Sequence, residues 1–212
     1  MSCDWRNLLA IWLLALTLAS PGTMANNQGS ASLPATQSAL FARLGEHLRP
    51  PAEGLQGRFR QQRELPFLQR PVISSGRFRL HNGGDIDWVM ELPEPSITRI
   101  RDGVLSIDGR TLDTIPAAAL LQALAGGDTA ALARHFAIVQ ETAALPADGS
   151  DAAAWQVTLI PRAHRLQSLF HSLHLSGARY LQQLQVDQGE GNITLIEFTE
   201  VRAQGNPASD KP

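Results

Sequence analysis

The residues that could do chemistry are few and scattered. His171 and His174 come nearest to metal-ligand spacing. On a strand, residues three apart point to opposite faces, so the two would not converge, and no third ligand lies near them in sequence. Asp85 and Asp87 have same-face spacing and could form a carboxylate pair, but they follow a Gly-rich turn, where Asp commonly serves local hydrogen bonds. Asn192-Ile193-Thr194 is a formal glycosylation sequon inside a tight turn. Ser74 and Ser75 precede a glycine at a strand entry with no evident base. There is no G-x-S-x-G elbow, P-loop or G-x-G-x-x-G. The expectation is a protein with no catalytic residues, no metal and no cofactor.

The densest local signal is "GRFRQQRELPFLQRPVISSGRFRL", residues 57 to 80, where Arg58, Arg60, Arg63, Arg70, Arg77 and Arg79 interleave with Phe59, Phe67 and Phe78. Basic and aromatic residues so mixed can mark a nucleic-acid surface. The formal net charge of -2 gives no global field to attract a polyanion. Acidic residues (Asp85, Asp87, Glu91, Glu94, Asp102, Asp108) follow closely, and a hairpin would bring them beside the arginines. The alternation reads as the wet and dry faces of antiparallel strands, with charge pairing outside, aromatics inside and no nucleic-acid partner.

The elements that must position these residues follow from periodicity. Residues 36 to 49 place Leu40, Phe41, Leu44 and Leu48 on one helical stripe, with Thr36 or Ser38 as a cap and Pro50-Pro51 as a stop. After Pro51 the period becomes two. Leu55, Gly57 and Phe59 share a face, as do Phe78 and Leu80, and as do Ile86, Trp88, Met90 and Leu92. "HNGGD", "RDG", "DGR", "SGAR" and "QGEGN" read as turns. Residues 116 to 134 interrupt the strands with a helix opened by Pro116 and ended at Gly126-Gly127, then a short one capped by Asp128. Strands resume at "HFAIVQET" and run through "AWQVTLIP", "SLFHSLHLSG", "ARYLQQLQVDQ" and "NITLIEFTEVR". The expected fold class is α+β, mainly antiparallel β. Ten or eleven strands form a strongly curved open (unclosed) β-barrel, with a helical lid over a hydrophobic cavity.

The ends speak to compartment. Arg6, an apolar run from Leu8 to Ala19 and small residues near Ala25 make residues 1–25 a cleaved secretory signal peptide, since such a run is too short to span a bilayer. The single cysteine, Cys3, lies ahead of that run, so the mature chain is expected to carry no lipid anchor and no disulfide. Residues 26–35 read as a polar linker, 36–202 as one domain and 203–212 as a disordered tail.

On these residues the chain resembles the periplasmic outer-membrane lipoprotein carrier family, the LolA-like proteins. The matching elements are Phe59-x-Gln61, the run from Pro71 to Phe78, Trp88 followed by Pro93, the turn Asp102-Gly103, and the order of helices and strands over residues 36 to 202. Where the best-known members carry an Arg-Pro pair whose Arg takes part in lid closure and lipoprotein transfer, this chain has Asn82-Gly83. The resemblance implies an unclosed barrel whose cavity takes acyl chains of a lipoprotein or another lipid. It implies an inner-membrane ABC-type releasing complex, or other lipid exporter, that loads the carrier, and an outer-membrane receptor that unloads it. The protein is then expected to be a soluble periplasmic monomer, or alternatively a lipid- or protein-sensing module with no transport role. Candidate cavity residues on the sheet are Phe59, Phe78, Leu80, Trp88, Met90, Leu159, Leu173 and Leu184. Candidate lid residues are Leu40, Phe41, Leu44, Leu120, Leu121 and Leu124.

Overall fold

In the computed structural model, which describes residues 34–112, 116–144 and 154–205, alternation of apolar and polar residues has built one sheet. Eleven antiparallel strands follow in chain order. They are β1 (Leu55–Glu64), β2 (Val72–Leu80), β3 (Ile86–Leu92), β4 (Ser96–Arg101), β5 (Val104–Ile107), β6 (Arg110–Leu112), β7 (Phe136–Ala144), β8 (Ala154–Pro161), β9 (Ser172–Gly177), β10 (Leu181–Asp187) and β11 (Ile193–Ala203). The helices are α1 (Ala35–Leu48), α2 (Pro116–Gly126), α3 (Thr129–His135) and α4 (His164–Gln167). The lateral order is β6-β5-β4-β3-β2-β1-β11-β10-β9-β8-β7. Two meanders therefore join at the centre, where the first strand pairs with the last. The edges β6 and β7 are neighbours in sequence but do not pair; α2 and α3 occupy the connection between them. The barrel is open there, and its cover is helical.

Local chemistry explains the turns. Asp102-Gly103 and Asp108-Gly109 all have positive φ, at 49° and 76° and at 49° and 80°. That conformation matches the twist of paired strands, and Asp and Gly tolerate it. The helical insertion runs two residues beyond Leu124 to Gly126, and Gly127 leaves it at φ 70°. Asp128 caps α3 by accepting a hydrogen bond from the Ala131 N–H at 2.9 Å.

Several expectations need correction. Neither Thr36 nor Ser38 caps α1; the N-cap is Pro34, which has no side-chain hydrogen bond to give. Gln37 instead turns its amide sideways onto edge strand β7. It donates to the Ile138 carbonyl at 2.8 Å and accepts from the Ile138 N–H at 3.1 Å, which satisfies an edge that no strand covers. The stretch before β9 is not strand from Ser168. It holds the single turn α4 and an irregular link to Ser172. Ala203 closes β11, and the Gln204 side chain donates to the Leu55 and Leu80 carbonyls at 3.1 and 2.9 Å, so order continues past Arg202. Leu92 does not join the dry face. It is 61% exposed at the end of β3, where a register shift between Ser75 and Gly76 interrupts the pairing. Arg63 breaks the arginine pattern in the other direction. It is five residues from Arg58, hence on the opposite face, and only 5% exposed; burial pushes its guanidinium down to about 10. Ala35, assigned to the linker, is the first residue of α1; the signal-peptide assignment, the linker up to residue 33 and the tail from residue 206 lie outside the described residues.

The outer face carries the charge pairing that the alternation suggests. Glu91 takes Arg58 at 3.0 Å and Arg77 at 2.5 Å, and Arg60 faces Glu197 at 3.4 Å. Exposed pairs of this kind contribute little to stability, but they keep the convex face wet.

Candidate functional site, an apolar cavity beneath a helix

Strands β1 to β4, β10 and β11 turn their apolar faces toward α2, and the space between is not filled. One lobe, of about 130 Å³, is bounded on the sheet by Leu55, Phe78, Leu80, Ile86, Trp88, Thr98, Ile100, Leu184, Ile196, Phe198 and Val201. The cover side is Leu121, Leu124 and Ala125, with His47 and Leu48 from the end of α1 and Tyr180 and Leu181 at the rim. A second lobe, of about 110 Å³, lies between Leu120, Leu121, Leu124, Leu132 and Phe136 above and Leu173, Leu184, Val186 and Ile196 below. Leu121, Leu124, Leu184 and Ile196 border both lobes and form the partition.

Size decides what the closed form can hold. The larger lobe is close to an engineered cavity of about 150 Å³ that stays dry and admits benzene. Each lobe thus suits a ring or a short alkyl segment. A long acyl chain needs both lobes made continuous, which requires the leucines of α2 to move.

The sequence candidates divide into two groups. Phe78, Leu80, Trp88, Leu173, Leu184, Leu120, Leu121 and Leu124 line one lobe or both. Phe59, Met90, Leu159, Leu40, Phe41 and Leu44 line neither. Phe41, Leu44, Phe59 and Leu159 belong to the main packed cluster, in which Leu44 and Leu159 have no exposure at all, and Leu40 packs against it. Phe59 supports the site from behind, stacked on Trp88 with ring centroids 3.8 Å apart. Phe198 meets Trp88 edge-on at 6.2 Å and Phe78 edge-on at 5.3 Å.

Sequence reading missed Ile100, Ile196, Phe198, Val201 and Tyr180 as cavity residues, and placed Ile86 on the dry face without naming it a candidate. Phe198 and Val201 share the cavity although their spacing puts them on opposite faces of a regular strand. A bulge explains it. Arg58 pairs with Thr199 and Gln56 with Arg202, so Glu200 and Val201 stand opposite Gly57, and Glu200 has φ 53°. The extra residue lets Phe198 and Val201 both reach the cavity. No turn signal in the sequence marks it.

Polar contacts hold the cover down. The Gln122 carbonyl oxygen of the side chain accepts from the Gly103 N–H at 2.7 Å, and its amide donates to Asp85 at 3.0 Å. One side chain of α2 thus ties to the β2–β3 and β4–β5 turns. Gly84 makes the close approach possible. It sits at φ 89°, and a Cβ there would lie 2.9 Å from the Gln122 backbone oxygen. Asp85 and Asp87 are thereby accounted for. Asp85 holds the cover, while Asp87 accepts from Arg101 at 2.6 Å and pairs with His81 at 2.7 Å. Burial alone pushes the Asp87 carboxyl up, but the hydrogen bonds from His81 and Arg101 outweigh it and hold it below the ordinary range. His174 bonds to Thr158 at 3.1 Å and to Ser172 at 3.0 Å. Among the described residues no three His, Cys, Asp or Glu side chains are grouped to hold a metal, and no helix is long and apolar enough to cross a membrane.

Comparison with known proteins gives no family model and no curated protein that matches. Solved structures do align. A LolA superfamily protein from Nitrosomonas europaea matches at 5% identity and a TM-score of 0.40, over 82% of this chain and 96% of that one. A chain in the complex of Pseudomonas aeruginosa MucA/MucB matches at 19% identity and 0.41, over 83% of this chain; this chain spans 60% of that one's length. LprF from Mycobacterium bovis matches at 12% identity and 0.37, over 80% and 96%.

Proposed function

We propose that the protein is a periplasmic carrier that binds the acyl chains of a lipoprotein or other lipid in this cavity and moves them from the inner to the outer membrane. The observation that carries the reading is the hollow between sheet and α2, walled almost wholly by aliphatic and aromatic side chains. Each methylene taken out of water contributes about 0.8 kcal/mol, so a chain of about 15 is worth on the order of 12 kcal/mol. Such a lipid does not cross an aqueous compartment unaided. A carrier has to offer a comparable dry space and still release its cargo, and a cover held by a few hydrogen bonds suits both. Binding and release need no covalent step, and no enzymatic activity is part of the proposal. The LolA-like sequence resemblance supplies the rest: cargo received from an inner-membrane ABC-type releasing complex or other exporter, and delivered to an outer-membrane receptor.

Trp88 reports on the site. It borders the larger lobe, whereas Trp155 is 1% exposed, stacked on His47 and bonded to the Ala178 carbonyl. Titrating the full chain with a spin-labelled stearate should quench Trp88 emission, with Trp88→Phe as the blank. Transfer of a labelled acylated lipoprotein from donor to acceptor vesicles then tests carriage. Unchanged emission through saturation removes the cavity as the acyl site. Binding and quenching without transfer removes the carrier role and leaves a sensing module.

A further inference from the structure

The outer face of the sheet, turned away from the cavity, has a site of its own. A polar groove of about 420 Å³ crosses five adjacent strands, from β4 through β3, β2 and β1 to β11. Five guanidinium groups reach it: Arg58, Arg77, Arg79, Arg99 and Arg202. Only Asp87 and Glu200 among its walls are acidic. The carboxylates at hand are already shared. Glu91 serves both Arg58 and Arg77, and the Asp87 oxygen that lies 3.5 Å from Arg99 also accepts from Arg101 at 2.6 Å. Arg79 and Arg202 have no ion pair among the described residues. In a chain whose formal net charge is -2, this is a local surplus of cations. The bulge sets Glu200, in a left-handed conformation, on the groove wall as one of its two carboxylates.

We propose that this groove docks an acidic, extended segment of a partner protein, on the face opposite the lipid cavity. Guanidinium forks take carboxylates in pairs, and arginine is the residue suited to that geometry. Five strands at about 4.8 Å spacing make a groove roughly 20 Å long, enough for about six extended residues. Val89, Ile97 and Phe78, which also borders the larger lobe of the cavity, give it an apolar floor, and Asp87 and Glu200 interrupt the positive charge. A mixed acidic peptide matches that pattern better than a uniform polyanion, and a concave groove does not fit against a flat layer of lipid headgroups. Docking here leaves the cavity accessible.

The test uses the full chain and a fluorescein-labelled peptide of alternating Glu and Ser, read by anisotropy at low and moderate salt. Arg79→Glu with Arg202→Glu should weaken binding about tenfold or more, and Arg79→Gln alone about threefold. Salt should weaken wild-type binding. Arg110→Glu, exposed at the start of β6 and outside the groove, should leave peptide binding unchanged, and stearate binding should be unchanged in every variant. Equal losses in the groove and Arg110 variants would mean diffuse charge and overturn the proposal. So would a double variant that binds the peptide like wild type. Binding of phosphatidylglycerol vesicles that is lost in the groove variants while peptide binding is kept would make this a membrane face and overturn it too. If the double variant does not fold, Arg79→Gln against Arg110→Glu makes the same decision.

Discussion

Under α1, strands β8 and β9 present Trp155, Val157, Leu159 and Leu175, each at most 2% exposed and packed with Phe41, Leu44 and Leu48. Under α2, strands β2 to β4 present Phe78, Leu80, Ile86, Trp88 and Ile100 around a cavity. The strands on the two sides alternate alike and carry side chains of similar size. What differs is the helix. α1 brings Phe41 and Leu44, neither of which borders a lobe, into the contact, while α2 covers the larger lobe with Leu121, Leu124 and Ala125. The hollow is made by a cover too small to fill it. Interiors are otherwise packed like organic crystals, so a space of this size is a feature the sequence has kept open.

The sharpest way to break the comparison is to truncate one large residue on each side. Leu159→Ala opens a void in the packed half and should cost about 3–5 kcal/mol, lowering the melting temperature by roughly 10 °C. Leu80→Ala enlarges a space that already exists, and should cost less than half as much in the same denaturant titration. Equal losses would mean that the two halves are equally packed. Filling the hollow is the converse. Ala125→Phe should reduce stearate affinity about tenfold or more, with an unchanged or higher melting temperature. Undiminished affinity in that variant would take the acyl site out of the larger lobe.

The architecture was legible because sheets report themselves by alternation. The dry residues Phe59, Phe78, Leu80 and Trp88 fall at even spacing, and paired glycines or Asp-Gly mark the turns. The cavity was only half legible. Periodicity gives a face, not a depth, so Phe59 and Leu159 in the packed core read the same as Phe78 and Leu184 on the hollow. Phe198 and Val201 were out of reach because a bulge, unlike a turn, needs no characteristic residue. Arg63 went astray for a related reason. Its position on the inner face is set by counting from Leu55, yet its charge argues for the outside. Asp85 and Asp87, legible as a pair, proved to hold the cover and an ion-pair cluster.

A smaller effect is expected at the cover's tie. Gln122→Ala removes the side-chain bonds to Gly103 and Asp85 while keeping the helix, and should cost about 1 kcal/mol. The consequence for binding is kinetic. If α2 must move to join the lobes, a looser tie raises the rate of stearate entry in stopped-flow quenching more than it changes the equilibrium constant. An unaltered entry rate would mean that the chain enters without displacing α2.

The smallest expected effect is acid sensitivity near that tie. The folded Asp87 carboxyl is held below its ordinary range, so it binds fewer protons folded than unfolded near the unfolded pKa of about 3.9. Its stabilisation is therefore complete above that pH and is lost as pH falls through the lower, folded value. The group is partly exposed and its partners are near the surface, so solvent screening keeps the effect to a fraction of a kcal/mol. Asp87→Asn should flatten the fall of melting temperature below about pH 4 without altering it at pH 7 by more than a degree or two. The packed half has a counterpart on its rim. Arg43, which bonds Glu141 from α1 to β7, holds that carboxyl low as well. If the acid slope is unchanged in Asp87→Asn but flattened in Glu141→Gln, the weak point in acid lies at the edge of the packed half, and the hollow half opens by ligand alone rather than by pH.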